Sequence, residues 1–102
     1  QPRPTAVFAM SSTILLGAVQ ALAEQHVRVP EEMSLVSFDN NQYMDFLNPP
    51  ITRVSQPITR IGQTAMKILY DCICSGRKPT SQILMTPTIV KRNSVSQNST
   101  KT

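Results

Sequence analysis

The order of apolar runs predicts an α/β fold built on a parallel sheet. Three observations carry that expectation. Thr5–Met10 and Ser34–Phe38 are apolar on both faces, the pattern of strands covered by helices on either side. A stretch of helical period lies between them, and two strands joined through a helix form a βαβ unit, right-handed by default. A further extended stretch, Ile51–Gln56, leads into a second helical stripe, Pro57–Gly76. With 102 residues and 40% hydrophobic content, the chain can bury the core of one small domain. It opens at Gln1, a few residues before its first apolar run, which reads as a segment of a longer protein.

Pro4 and Ser11 bound the first strand. Ser11 or Ser12 caps the helix that follows, because a serine oxygen accepts a hydrogen bond from an otherwise unpaired helical N–H. That helix runs to about Gln25. Ile14, Leu15, Leu16, Ala18, Val19, Ala21, Leu22 and Ala23 cover roughly 220° of its wheel, about twice the arc of one core-facing stripe. The surplus predicts burial on two sides, against the sheet and against another surface. His26 stands where a glycine commonly ends a helix, and histidine is among the residues enriched at positive φ. We expect a surface cap there, not an acid–base group.

Val27–Glu32 is a connection, Ser34–Phe38 the next strand, and 40–50 an irregular loop with a helical turn at Tyr43–Leu47. Pro49-Pro50 stops any helix. Pro57 fits a helix start and Gly76 a helix end. Between them Ile58, Ile61, Ala65, Ile68, Leu69, Cys72 and Ile73 recur at spacings of three and four. Two short apolar runs, Gln82–Met85 and Thr88–Val90, read as strands. Residues 94–102 lack apolar periodicity and read as disordered.

Net charge is +4, but the basic residues are scattered and aromatics are few, so no nucleic-acid platform emerges. Cys72 and Cys74 point to different sides of a helix, which suits neither a disulfide nor a metal site, and reads as reduced cysteine. No apolar run has transmembrane length. The one histidine, the three separated glycines and the absence of a Cys/His cluster argue against an enzyme, a phosphate loop and a metal centre. In open α/β sheets, ligands bind beyond the carboxyl ends of strands. Ser11-Ser12 and Asp39-Asn40 occupy such ends, and hydroxyls with a carboxylate suit a polyhydroxylated ligand. The competing role for Asp39 is to cap the turn after it.

Pro4-Thr5-Ala6, Leu16-Gly17-Ala18, Val29-Pro30, Phe38-Asp39-Asn40, Pro49-Pro50, Gln56-Pro57, Gly62 and Ala65 together form a specific pattern. From about residue 4 to 93 the chain resembles the effector-binding core of lactose-repressor/galactose-repressor (LacI/GalR) family transcription regulators. The resemblance implies two Rossmann-like subdomains with a ligand cleft between them, as in periplasmic sugar-binding proteins. Residues 1–50 would belong to the C-terminal subdomain. Residues 51–87 would supply a crossover strand, a helix and a strand of the N-terminal subdomain, and 88–93 would return. It also implies a small-molecule effector, a sugar or related metabolite, contacted by Asp39, Ser11, Gln56, Ile58 and Ile61. A homodimer would form through Leu16, Val19 and Leu47. DNA would be read by a helix-turn-helix outside this chain. No cofactor, metal, catalytic residue or membrane enters this reading, and the expected location is cytoplasmic. The sequence departs from the family at Ser11-Ser12, where an Asn-Asp pair is usual, at Ser37 and at His26, where glycines are usual. The alternatives are a transport system's sugar-binding receptor, which shares the fold, and a small α/β enzyme using Ser11 and Asp39.

Overall fold

The computed structural model describes residues 3–78 and 82–97. Its elements are β1 (Ala6–Ala9), α1 (Ser12–Glu24), β2 (Ser34–Phe38), a 3-10 turn (Gln42–Asp45), β3 (Thr52–Ser55), α2 (Ile58–Ser75) and β4 (Thr88–Val90). The strands form one sheet in the order β1-β2-β3-β4. β1 and β3 run parallel to β2, whereas β4 runs antiparallel to β3. The α/β class is as expected, but the sheet is mixed and not parallel throughout.

The chain divides into two compact units. One holds the described residues up to Ser55 and those from Thr88, and the other is Gln56–Pro87. The division therefore falls after Ser55, not after Pro50, because β3 pairs with β2 from Val36↔Thr52 to Phe38↔Val54 and belongs to that sheet.

In the first unit Ala9, Leu15, Leu35, Met44 and Ile51 form the buried cluster. A leucine removed from water to this degree contributes about 1.5–3 kcal/mol, so Leu15 and Leu35 are principal anchors of helix and sheet. Met44 is the anchor of the 3-10 turn, whose backbone is fastened again by Ile51 N–H donating to the Met44 carbonyl at 3.0 Å. The turn sits slightly earlier than the expected Tyr43–Leu47.

Helix α1 begins as its cap chemistry requires. Ser11 is extended (φ −153°), and its Oγ accepts from the Ile14 N–H at 3.1 Å. The helix ends with His26 in the left-handed region (φ 56°), its N–H on the Ala23 carbonyl. Ala18, Val19 and Leu22 pack against the core beside Leu15, while Ile14 and Leu16 face outward. Only one side of the wide apolar arc is thus covered within the unit.

Two expectations for the last third are corrected. Gln82–Met85 forms no strand: it has no assigned secondary structure and pairs with no ladder, and it lies in the second unit. The segment 94–97 is not a disordered tail, because Ser94 is fully buried and bonded to two strands. Residues 98–102 lie outside the described residues.

In the second unit α2 carries the expected stripe, and Gly76 closes it at φ 71° with its N–H on the Cys72 carbonyl. Ile68 and Cys72 are half-buried, and Ile58, Leu69 and Ile73 are exposed.

Candidate effector site

The β1–β2 register pairs Ala9 with Ser37. Two residues beyond this pair stand Ser11 and Asp39, so the parallel register sets both on the carboxyl edge of the sheet. Ser11 already uses one oxygen lone pair as the helix cap. Its hydroxyl proton is left for another acceptor. The Tyr43 hydroxyl donates to the Ser12 carbonyl and clasps this helix start to the loop after β2. Burial pushes the Tyr43 hydroxyl's pKa up, keeping it in its donating form.

Asp39 is half-buried and takes a positive φ of 84°. Aspartate tolerates that conformation better than most residues, yet it costs about 1 kcal/mol or more relative to glycine. The turn is held on both sides. The Asp39 N–H donates to the Val54 carbonyl at 2.9 Å, and Asn40 Oδ1 accepts from Arg53 Nε at 2.9 Å. The cap of the 3-10 turn is Asn41, whose Oδ1 accepts from the Tyr43 N–H.

Beside this turn lies a charged cluster that the sequence reading did not single out. Arg53 is only 4% exposed. Its Nη1 donates to Asp45 Oδ1 at 2.7 Å and to the Ile51 carbonyl at 3.1 Å, and its Nη2 lies 3.3 Å from Asp45 Oδ2. Arg92 adds a bond from Nε to Asp45 Oδ1 at 2.9 Å. Hydrogen bonds from Arg53, and then Arg92, hold the Asp45 carboxyl down to about 2. The available signal was an arginine inside the extended run Ile51-Thr52-Arg53-Val54, since a buried guanidinium requires a partner.

Elsewhere, Arg3 and Arg28 converge on Glu32. The Arg28 backbone N–H, more than either guanidinium, lowers the Glu32 carboxyl. Among the described residues Arg3, Arg28, Arg53 and Arg92 are thus matched by carboxylates.

Gln56, Ile58 and Ile61 belong to the second unit, Gln56 half-buried and the two isoleucines exposed. Of the expected pairing residues, Val19 and Leu47 meet in a cavity of about 520 Å³, also lined by Leu22, Val29, Leu35 and Ile51. Leu16 is not part of that lining and is exposed on α1. Among the described residues no cluster of three His, Cys, Asp or Glu could hold a metal. No helix there is long and apolar enough to cross a membrane.

The sequence matches the periplasmic binding protein-like domain family over residues 1–95. It is 38% identical over 93 residues to the HTH-type transcriptional repressor PurR of Vibrio cholerae, covering 91% of this chain and 28% of that protein. It is 34% identical to the ribose operon repressor of Haemophilus influenzae, with the same coverage of each. The chain therefore spans little more than a quarter of these relatives' length. Among solved structures, a LacI family regulator from Enterococcus faecalis with bound ribose superposes with a TM-score of 0.84 at 27% identity, over 94% of this chain and 36% of that one. A complex of the regulator CelR with cellobiose gives 0.81 at 29% identity, over 88% and 28%. The family match, the relatives and the solved structures agree: this chain belongs to the periplasmic binding protein-like family, as a segment of the effector-binding domain of a LacI/GalR-type transcriptional regulator.

Proposed function

We propose that the complete protein is a cytoplasmic, DNA-binding repressor and that this chain carries the main polar contact for a sugar effector, the Asp39 carboxylate. The observation that carries the reading is the left-handed turn at Asp39, held at the carboxyl end of β2 and level with Ser11. A carboxylate fixed there can accept two sugar hydroxyls, and the Ser11 hydroxyl can add a donor. We assign Gln56, Ile58 and Ile61 to the same effector on the family resemblance. A bound sugar shifts the protein between conformations that differ in DNA affinity, by the difference in its affinity for the two. Nothing in this reading calls for chemistry on the ligand. Relatives that carry ribose in their names or bound in their structures make D-ribose the first compound to try.

A hydrogen bond to a charged group contributes about 1.5–3 kcal/mol. In the complete protein, Asp39→Ala is therefore expected to weaken ribose binding about ten- to a hundredfold by calorimetric titration. If wild type and variant bind equally, the carboxylate has no role in the effector site.

We further propose pairing of two copies through Leu16, Val19 and Leu47, supported by the outward Leu16 and the open cavity beside Val19 and Leu47. Leu16→Lys places an unpaired charge in that contact. It should shift the complete protein toward monomer in sedimentation velocity at low micromolar concentration. A variant as dimeric as wild type would remove α1 from the interface.

A further inference from the structure

We propose that Arg53 is a positioning residue for the effector site: through Asn40 it holds the left-handed turn that aims the Asp39 carboxylate. The inference rests on the reading of Asp39 as the effector contact. Three observations lead to it. The guanidinium is buried and every edge of it is engaged, with Asn40 Oδ1 on Nε and Asp45 across Nη1 and Nη2. A forked bond to one carboxylate fixes the plane of an arginine, so the single Nε proton is aimed in one direction. That direction is the Asn40 side chain, immediately after Asp39. The bond before Asp39 also comes from β3, since the Asp39 N–H is on the Val54 carbonyl. Consecutive residues of one strand thus pin the chain on both sides of a strained residue. Arg92, just after β4, grips the same Asp45 oxygen as Arg53 Nη1, so the anchor of the arginine is itself anchored.

Stability alone is a weak reason to keep such a group. Burying a charged side chain costs several kcal/mol, and a well-packed apolar residue often serves as well. A fixed direction for one N–H is what an apolar residue cannot supply. Lysine cannot supply it either, because a single ammonium on a flexible stem does not hold the fork and aim a separate donor.

The test uses the complete protein with D-ribose as the probe. Asn40→Ala removes the acceptor and leaves the Arg53–Asp45 pair in place. It should keep the melting temperature within about 2 °C and weaken ribose binding about tenfold. Arg53→Lys should lose at least as much. In an Asp39→Ala background, Asn40→Ala should cost nothing further, because the turn then has no carboxylate to aim. A second arm needs no ligand: hydrogen exchange at the Asp39 amide should quicken about tenfold in Asn40→Ala, with the Leu35 amide at the other end of β2 unchanged. Full ribose affinity in Asn40→Ala, or an equal loss with and without Asp39, overturns the proposal. So does unchanged exchange at Asp39. If wild type fails to bind ribose while Asp39 exchange quickens, the positioning stands and the choice of effector is what has failed.

Discussion

The two ends of β2 are held by different chemistry. At the amino end the fastening is neutral. Ser94, fully buried, donates from Oγ to the Leu35 carbonyl and accepts from the Thr52 N–H at 2.8 Å, while its own carbonyl takes the Leu35 N–H at 2.9 Å. Ser34 and Ser96 bond to each other beside it, and Ser96 Oγ reaches the Pro30 carbonyl. At the carboxyl end the fastening is ionic and the backbone is strained, with Asp39 at positive φ and Arg53 set between Asn40 and Asp45. Small hydroxyls with their partners close a strand end at little desolvation cost. Charges there cost more but present direction and polarity to whatever lies beyond the edge. One end is built as a closure, and the other is the end to which we assign the effector.

Ser94→Ala should be the most damaging single change. It strips partners from the Leu35 carbonyl and the Thr52 N–H together, and each buried group left unsatisfied costs about 1–3 kcal/mol. Chemical denaturation of the complete protein should show a loss in that range or larger, with ribose affinity per folded molecule unchanged. A loss of affinity without loss of stability would erase the distinction between the two ends. Asp39→Gly should give the opposite signature. Glycine takes a positive φ freely, so stability should rise by about 0.5–1 kcal/mol while effector binding falls. A melting point that drops would show that the Asp39 side chain stabilises its own turn.

The smallest effect concerns acid. The Asp45 carboxyl is lowered in the folded state from an ordinary 3.8 to about 2. A lowered carboxyl stabilises the fold most fully above its ordinary value, and that contribution fades as pH falls through about 2. Because Asp45 is exposed, solvent screens the pair and the contribution is modest. Wild type should lose stability relative to Asp45→Asn as denaturation midpoints are followed from pH 5 to pH 2. Parallel curves would mean that the carboxylate adds nothing that its amide does not.

Much of the frame was legible because its signals are local. Ser34–Phe38 was read at its true bounds, since five residues apolar on both faces have few other uses. Ser11 as cap, His26 as helix end and Gly76 as αL terminator follow from side-chain chemistry within a turn or two. The direction of β4 was not legible: a three-residue apolar run has the same pattern whether it pairs parallel or antiparallel. The role of 94–97 was hidden for a related reason. Ser94 is buried and Ser96 half-buried, each tied by hydroxyl bonds to partners some sixty residues earlier, and apolar periodicity does not register such contacts. The strand-end rule found Ser11 and Asp39 as edge residues. It could not find Arg53, whose partners Asn40 and Asp45 come to it only after the sheet has formed, with Arg92 on the same carboxylate.

Ser55 and Thr88 are antiparallel partners, so the chain leaves the first unit and re-enters it at one place. The stretch from Gln56 to Pro87 is therefore an insertion in a hairpin that would otherwise be short. During vectorial synthesis β1, β2 and β3 emerge first, yet β3 has one bare edge until the insertion has been made and Thr88–Val90 follows. The Leu35 and Thr52 backbone groups likewise wait for Ser94. A nascent chain halted before Thr88 carries an exposed strand edge, the kind of surface on which chaperones and neighbouring chains act. Pulse proteolysis of stalled chains should show protection of the first unit appearing only once Ser94 has left the ribosome.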